Sequence, residues 1–206
     1  IKVPKNAPLE KVAPLLCAGI TTYSPLKFSK VKEGFKVGVA GFGGLGVMAV
    51  KYALKMGASV SVFARNEKKK EEAFKMGVSG FYTSTNMADV AERFDLILST
   101  IPTFYDVSAY LDLLKFGGEF AIVGLPPHDT MPSLSVKDLV YKAGKKVYGS
   151  LIGGIKETQE MMDFSLKHAI YPETELIKPS QIDEAYEKLT NGTAKFRYVI
   201  DMGNLE

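Results

Sequence analysis

One cysteine, Cys17, stands in the whole sequence, so an intrachain disulfide is excluded and a cytoplasmic setting is the simplest expectation. Charge of one sign is not in excess either. Against 26 Lys and Arg stand 23 Asp and Glu, a net charge of +3. The densest basic run, Lys68, Lys69 and Lys70, is followed at once by Glu71 and Glu72. A nucleic-acid partner would need cations gathered on one face, and none is expected. No apolar run approaches the roughly 18 residues that span a bilayer, so no membrane partner is expected. Repeats, low-complexity tracts and linkers are absent. No Met precedes Ile1, and the opening (a strand end, a Pro-bounded turn, then a helix) reads as mid-protein, so a piece of a longer chain is expected.

What is present is apolar material and glycine. Hydrophobic residues make up 46% of the 206, enough for a well-filled core. Residues 37–40 form a short apolar run that fits a strand buried on both faces. Gly41, Phe42, Gly43, Gly44, Leu45 and Gly46 follow, a G-x-G-x-x-G. Val47, Val50, Leu54 and the Ala49/Ala53 pair then recur at helical spacing, and the helix stops at Lys55, Met56 and Gly57. Val60, Val62 and Phe63 begin a second strand. Strand, glycine turn, helix and strand together are the context in which this motif grips a pyrophosphate. Gly41 permits the sharp turn, Gly43 lets the phosphates approach the backbone, and Gly46 lets the helix lie close to the strand. The free N–H groups and positive end of the helix face the anion. Without a ligand, the same glycines would make a tight turn only.

The second strand lacks the acid that usually takes the ribose hydroxyls of NAD. The slot holds Ala64, Arg65 and Asn66, with Lys69 beyond. A guanidinium and an ammonium there favour a 2′-phosphate, hence NADP over NAD. Glu67 falls in the first turn of the next helix, where it suits the dipole.

The alternation continues through "GFYT" (strand), "NMADVAERF" (helix), "DLILST" (strand), "VSAYLDLLKFGG" (helix with a glycine stop), "EFAIVG" (strand) and "KKVYGSLIG" (strand). Six strands with helical crossovers predict an α/β, doubly wound parallel sheet. The carboxyl ends of its strands would line the ligand crevice. Beyond Gly154 the pattern predicts a helix over "IKETQEMMDFSLKHAI", another over "SQIDEAYEKLTNG" with Ser180 as N-cap, and a strand over "KFRYVIDM".

The stretches "APLLCAGITTYSPL", "GVAGFGGLGVMAVKYAL", "KKKEEA", "YGSLIGGIKETQEM" and "AKFRYVID", spread over residues 12–202, resemble the medium-chain, zinc-dependent alcohol dehydrogenases, in particular the cinnamyl-alcohol-dehydrogenase group. The resemblance implies a Rossmann cofactor domain over residues 19–151. Residues 1–18 and 152–206 would belong to a catalytic, GroES-like lobe that is otherwise missing. By resemblance, Cys17 matches a ligand of the catalytic zinc, the other ligands being outside this sequence. One thiolate cannot hold zinc tightly, and neither His128 nor His168 is placed to help, so this chain is expected to carry a free thiol and no zinc. Taken alone, a lone cysteine reads as a small buried residue. Thr21 matches a residue beside the nicotinamide. Gly43, Gly44 and Leu45 match the pyrophosphate turn; Ala64, Arg65, Asn66 and Lys69 match the 2′-phosphate site. Thr100, Ile101, Val123, Gly124, Ser150 and Ile152 match residues at the nicotinamide end, and Arg197 an arginine that reaches the pyrophosphate. Plant members have serines where residues 64–66 stand, a departure that Arg65 compensates.

The activity implied is hydride transfer between NADPH and an aldehyde or primary alcohol in the intact enzyme, with no catalytic residue in this stretch and the stretch alone inactive. The family also implies a homodimer through the last Rossmann strand, about residues 146–151. Alternatives are a zinc-free quinone or enone reductase of the same superfamily, against which Cys17 speaks, and a stand-alone dinucleotide-binding module. A methyltransferase would want an acid after the second strand, and Ala64 and Arg65 deny it.

Overall fold

The computed structural model describes residues 1–83, 85–194 and 197–204. The chain divides into two compact units, Thr21–Ile152 and, separately, Ile1–Ile20 with Gly153–Glu206. No helix among the described residues is long and apolar enough to cross a membrane.

In the first unit, β1 (Lys36–Ala40), β2 (Ser59–Ala64), β3 (Gly80–Thr83), β4 (Phe94–Ser99), β5 (Leu114–Ile122) and β6 (Lys146–Gly149) form one sheet. Their order is β3-β2-β1-β4-β5-β6 and every pairing is parallel. This is the doubly wound Rossmann order, with its switch point between β1 and β4. Central strands are buried throughout: Val37, Val39 and Ala40 of β1 and Leu96, Ile97 and Leu98 of β4 are all at 0% exposure. Between β1 and β2 runs α3 (Gly44–Lys55), which follows α1 (Leu9–Val12) and α2 (Ala18–Phe28) in chain order. It buries Met48, Ala49, Tyr52 and Ala53 and ends at Gly57, whose φ of +90 closes the helix without strain. An aromatic cluster fills part of the core. The Tyr110 ring meets Phe63 edge-on at 5.5 Å and stacks on Phe120 at 5.8 Å. Burial there pushes the Tyr110 phenol up to about 12.

Two helices expected from the pattern are shorter than their sequences suggest. "NMADVAERF" keeps only the 3-10 turn Met87–Asp89. The Asn86 carboxamide oxygen accepts from the Thr83 N–H at 2.6 Å, a local bond that competes with helix. Arg93 Nη1 donates to the carbonyls of Val90, Ala91 and Glu92, occupying acceptors a helix would need. In "VSAYLDLLKFGG", α5 (Val107–Asp112) stops early, because Leu114 already pairs with Phe94 as the start of β5. Strand pairing overrides helical propensity there. Between β2 and β3, a 3-10 turn Glu67–Lys69 leads into α4 (Lys70–Lys75). The exposed α6 (Val136–Tyr141), with its N-cap Ser135, precedes β6.

A polar knot ties β5 and β6 to the end of α2. Ser29 Oγ donates to Glu119 Oε2 at 2.5 Å and lies 2.7 Å from the Tyr148 hydroxyl. Lys146 Nζ pairs with Glu119 Oε1 at 2.9 Å. Burial is the largest single influence on the Glu119 carboxyl and pushes its pKa up. The Ser29 and Lys146 contacts together outweigh it, so the net value lies below the usual range. The Tyr148 phenol is pushed up to about 12, chiefly by burial.

The second unit contains α1, α7 (Ile155–His168), β7 (Thr174–Ile177), α8 (Ile182–Thr190) and β8 (Arg197–Ile200). β7 and β8 pair in parallel, from Thr174↔Arg197 to Ile177↔Ile200. The sequence pattern shows β8 and misses β7, a strand of only four residues. The expected strand reached back to Lys195 and Phe196, which lie outside the described residues. Ser180 is not the N-cap of α8. It sits inside the 3-10 turn Pro179–Gln181, and Gln181 Oε1 closes that turn by accepting from the Lys178 N–H at 2.9 Å. The strand end expected at the opening is irregular chain instead.

Candidate dinucleotide-binding site

The carboxyl ends of β1, β2, β4, β5 and β6 are knitted together by backbone bonds. Gly41 N–H donates to Phe63 O at 2.8 Å, Thr100 N–H to Ala40 O at 2.7 Å, Val123 and Gly124 N–H to Ser99 O at 2.9 and 3.0 Å, and Ser150 N–H to Ile122 O at 2.9 Å. Thr100, Gly124 and Ser150, which follow β4, β5 and β6, thus stand along one edge of the sheet with Gly41 and Val123. The Thr100 hydroxyl turns inward, to the carbonyls of Ala40 (3.1 Å) and Gly41 (3.2 Å), so it braces the glycine turn.

Each glycine of the turn has a distinct physical reason. Gly41 has φ +91, and a Cβ there would lie 2.6 Å from Thr100 Oγ1. At Gly46 a Cβ would overlap the Gly41 carbonyl oxygen and come 2.9 Å from its carbon, which is why α3 can dock against the end of β1. Gly43 is different: a Cβ there meets nothing within 4 Å and would project into open space. Gly43 is the N-cap of α3 and supplies no side-chain cap to the helix start. The first N–H groups of a helix have no intrahelical acceptor, so those beginning at Gly44 and Leu45 are available to an anion beside that open space. The pyrophosphate of a dinucleotide fits this cradle.

The turn after β2 presents cations. Arg65, Asn66 and Lys69 are exposed. Asn66 Oδ1 accepts from the Lys68 N–H at 3.1 Å, which leaves its amide N–H donors uncommitted among the described residues. Lys70 Nζ pairs with Glu67 Oε1 at 3.0 Å, neutralising the nearest acid. Lys69 Nζ lies 6.0 Å over the Phe42 ring. Sequence reasoning missed Phe42, because a ring within a glycine motif gives no signal of which cation it will meet.

The remaining expected residues lie elsewhere. Thr21 is buried in α2 at 7% exposure. Ile152 follows β6 with φ +48, a backbone conformation a β-branched side chain rarely adopts. Cys17 and Arg197 belong to the other unit. Cys17 is free and exposed, where a lone cysteine read from sequence alone is small and buried. Burial lowers the Arg197 pKa, and the neighbouring Cys17 sulfur partly restores it. Arg197 Nε is buried and has no hydrogen-bond partner among the described residues. Among those residues no group of three His, Cys, Asp or Glu comes together to hold a metal ion. His168 packs edge-on against Phe164 at 4.6 Å, and His128 sits in the short turn His128–Thr130. A zinc site therefore does not fit the residues of this chain alone.

Fold and turn define the class: an α/β chain of dinucleotide-binding type. The family model for zinc-binding dehydrogenases matches residues 44–167, and the chain belongs to that family. It is 42% identical over 208 residues to the probable formaldehyde dehydrogenase AdhA of Bacillus subtilis, and 43% identical over 212 residues to NADP-dependent alcohol dehydrogenase C 1 of Mycolicibacterium smegmatis. Each match takes in 100% of this chain and 59% of the relative, so the chain spans about three fifths of the length of these proteins. Among solved structures, CAD from Helicobacter pylori complexed with NADP(H) is 67% identical, with a TM-score of 0.91 over 99% of this chain and 58% of that one. The cinnamyl alcohol dehydrogenase SbCAD4 of Sorghum bicolor is 33% identical, with a TM-score of 0.90 over 100% and 59%.

Proposed function

We propose that this chain is the NADP(H)-binding portion of a zinc-dependent alcohol dehydrogenase or aldehyde reductase, and that the intact protein moves hydride between NADPH and an aldehyde or primary alcohol. The observation that carries the reading is the open cradle at Gly43 with an unopposed Arg65 beyond it. The NADP-dependent relative and the NADP(H) complex of a similar structure support the choice of cofactor.

When bound, the nicotinamide supplies or accepts the hydride. The residues of this chain hold and orient the cofactor. The start of α3 and the backbone of residues 43–45 neutralise the pyrophosphate. Arg65, Asn66 and Lys69 take the 2′-phosphate through charge-assisted bonds. Ile101, Val123, Gly124, Ser150 and Ile152, with Thr21, set the nicotinamide end. Residues 1–18 and 152–206 belong to a catalytic lobe, where Cys17 contributes one zinc ligand. The chain by itself is inactive because the other ligands are not in it.

The intact protein works in the cytoplasm as a homodimer paired through β6. The exposed Leu151 (81%), which follows β6 at the sheet edge, supports the dimer. Light scattering on Leu151→Asp in the full-length protein tests it, and an unchanged dimer mass would refute it. For the cofactor, NADPH and NADH are titrated into the full-length protein at one salt concentration. Wild type should prefer NADPH at least tenfold, and Arg65→Ala should abolish most of that preference, a loss of about 1.4 kcal/mol or more. Equal binding of both coenzymes by the wild type would end the reading.

A further inference from the structure

Three lysines in a row begin the segment after β2, yet the structure treats them differently. Lys70 is held by Glu67 at 3.0 Å. The Lys68 N–H is engaged by the Asn66 cap, and its ammonium has no ring or carboxylate partner among the described residues. Lys69 alone reaches back to the glycine turn, its Nζ 6.0 Å over the ring of Phe42. Phe42 is itself buried. It stands between Gly41 and Gly43 and is 7% exposed. A buried ring and an exposed cation make an asymmetric pair. The π face attracts the ammonium and restricts a four-carbon side chain that has many rotamers in water.

We infer that Phe42 is a positioning residue for the adenosine 2′-phosphate: its ring holds the Lys69 ammonium beside the glycine turn, and so makes Lys69, not Lys68 or Lys70, the partner of Arg65 in binding that phosphate. The inference rests on the NADP reading above. Its physical content is selectivity. NADH has no group for Lys69 to meet, so the ring matters to NADPH and 2′,5′-ADP and not to NADH and ADP. One residue then joins the two halves of the site, the pyrophosphate cradle through its backbone and the 2′-phosphate site through its ring.

The test is fluorescence titration of the full-length protein with NADPH and NADH, and calorimetric titration with 2′,5′-ADP and ADP. Phe42→Leu should weaken NADPH and 2′,5′-ADP about two- to fivefold and leave NADH and ADP unchanged. Phe42→Tyr, which keeps the π face, should behave as wild type, and Lys70→Met should change neither coenzyme. The double variant Phe42→Leu/Lys69→Met should match Lys69→Met alone in its NADPH-to-NADH ratio. Additive losses in the double variant, or an equal loss of both coenzymes in Phe42→Leu, would overturn the inference and leave NADP binding standing. A wild type without preference for NADPH would overturn the NADP reading and this inference together. Unfolding midpoints of each variant separate these outcomes from simple misfolding.

Discussion

Gly43 and Gly46 lie three residues apart in one turn, and the structure assigns them opposite penalties for the same substitution. In Gly46→Ala the new methyl overlaps the Gly41 carbonyl oxygen, with the carbonyl carbon 2.9 Å away. Both are backbone atoms at the end of the central strand, so no side chain can swing aside. Helix α3 must retreat by more than about 1 Å to reach van der Waals separation. Overpacking of this kind costs about 1–3 kcal/mol, and the better helix propensity of Ala returns up to about 1. A net loss of about 1–2 kcal/mol is expected, with weaker coenzyme binding as a consequence of the shift. In Gly43→Ala the methyl touches nothing, and φ −96 with ψ −161 suits any residue. Stability should fall by about 0.5–1 kcal/mol, since Ala is a poorer N-cap than Gly. The methyl does, however, occupy the space assigned to the pyrophosphate, so NADPH and NADH should both weaken at least tenfold, about 1.4 kcal/mol. Denaturant unfolding and coenzyme titration of the two full-length variants read both quantities. Wild-type affinity in Gly43→Ala would refute the cradle. Wild-type stability in Gly46→Ala would refute the close approach of α3 to β1.

Other expected outcomes come from single residues. The folded-state pKa of Glu119 lies below its unfolded value, so its contribution to stability is present above the ordinary carboxyl value of 4.5 and lost as pH falls through the lower folded value. Glu119→Gln should flatten that acid limb in pH-dependent unfolding, and an unchanged limb would refute the role given to the Ser29 and Lys146 contacts. Ala169 ends α7 at φ +52 and ψ +41, a conformation that costs an L residue but not glycine. Ala169→Gly should therefore raise stability by about 0.5–1 kcal/mol in denaturant titration, and a loss would contradict the left-handed cap. The Tyr105 and Ser99 hydroxyls are buried without a hydrogen-bond partner among the described residues, although Ser99 is near enough to temper the rise that burial causes in the Tyr105 pKa. Tyr105→Phe should be neutral or stabilising by up to about 1 kcal/mol, and a clear loss would reveal a water bridging the two.

The central features were legible because their signals are local. Glycines at 41, 43 and 46 between an apolar run and a helical period can do little else in a βαβ unit, and the absence of an acid at residues 64–65 is visible without coordinates. Signals failed where a side chain competes for the backbone, where the deciding partner is remote, or where an element is too short. The helix expected over residues 86–94 gave way to an Asn86 side chain that accepts from the Thr83 N–H and an Arg93 side chain that takes its carbonyls. The end of α5 was set by Phe94, about twenty residues upstream, and β7 is too short to show a period.

From sequence alone came the strand–turn–helix alternation, the doubly wound class and the want of an acid at the end of β2, since periodicity and residue type act within a few positions. Tertiary structure alone decided that a methyl at residue 46 meets backbone while one at 43 meets open space, that Lys69 and not its neighbours finds the Phe42 ring, and that Ser29 closes on Glu119 and Tyr148. The Lys69 and Ser29 contacts join residues from about 27 to 120 positions apart. Their geometry is set by sheet order and packing, which no local pattern encodes.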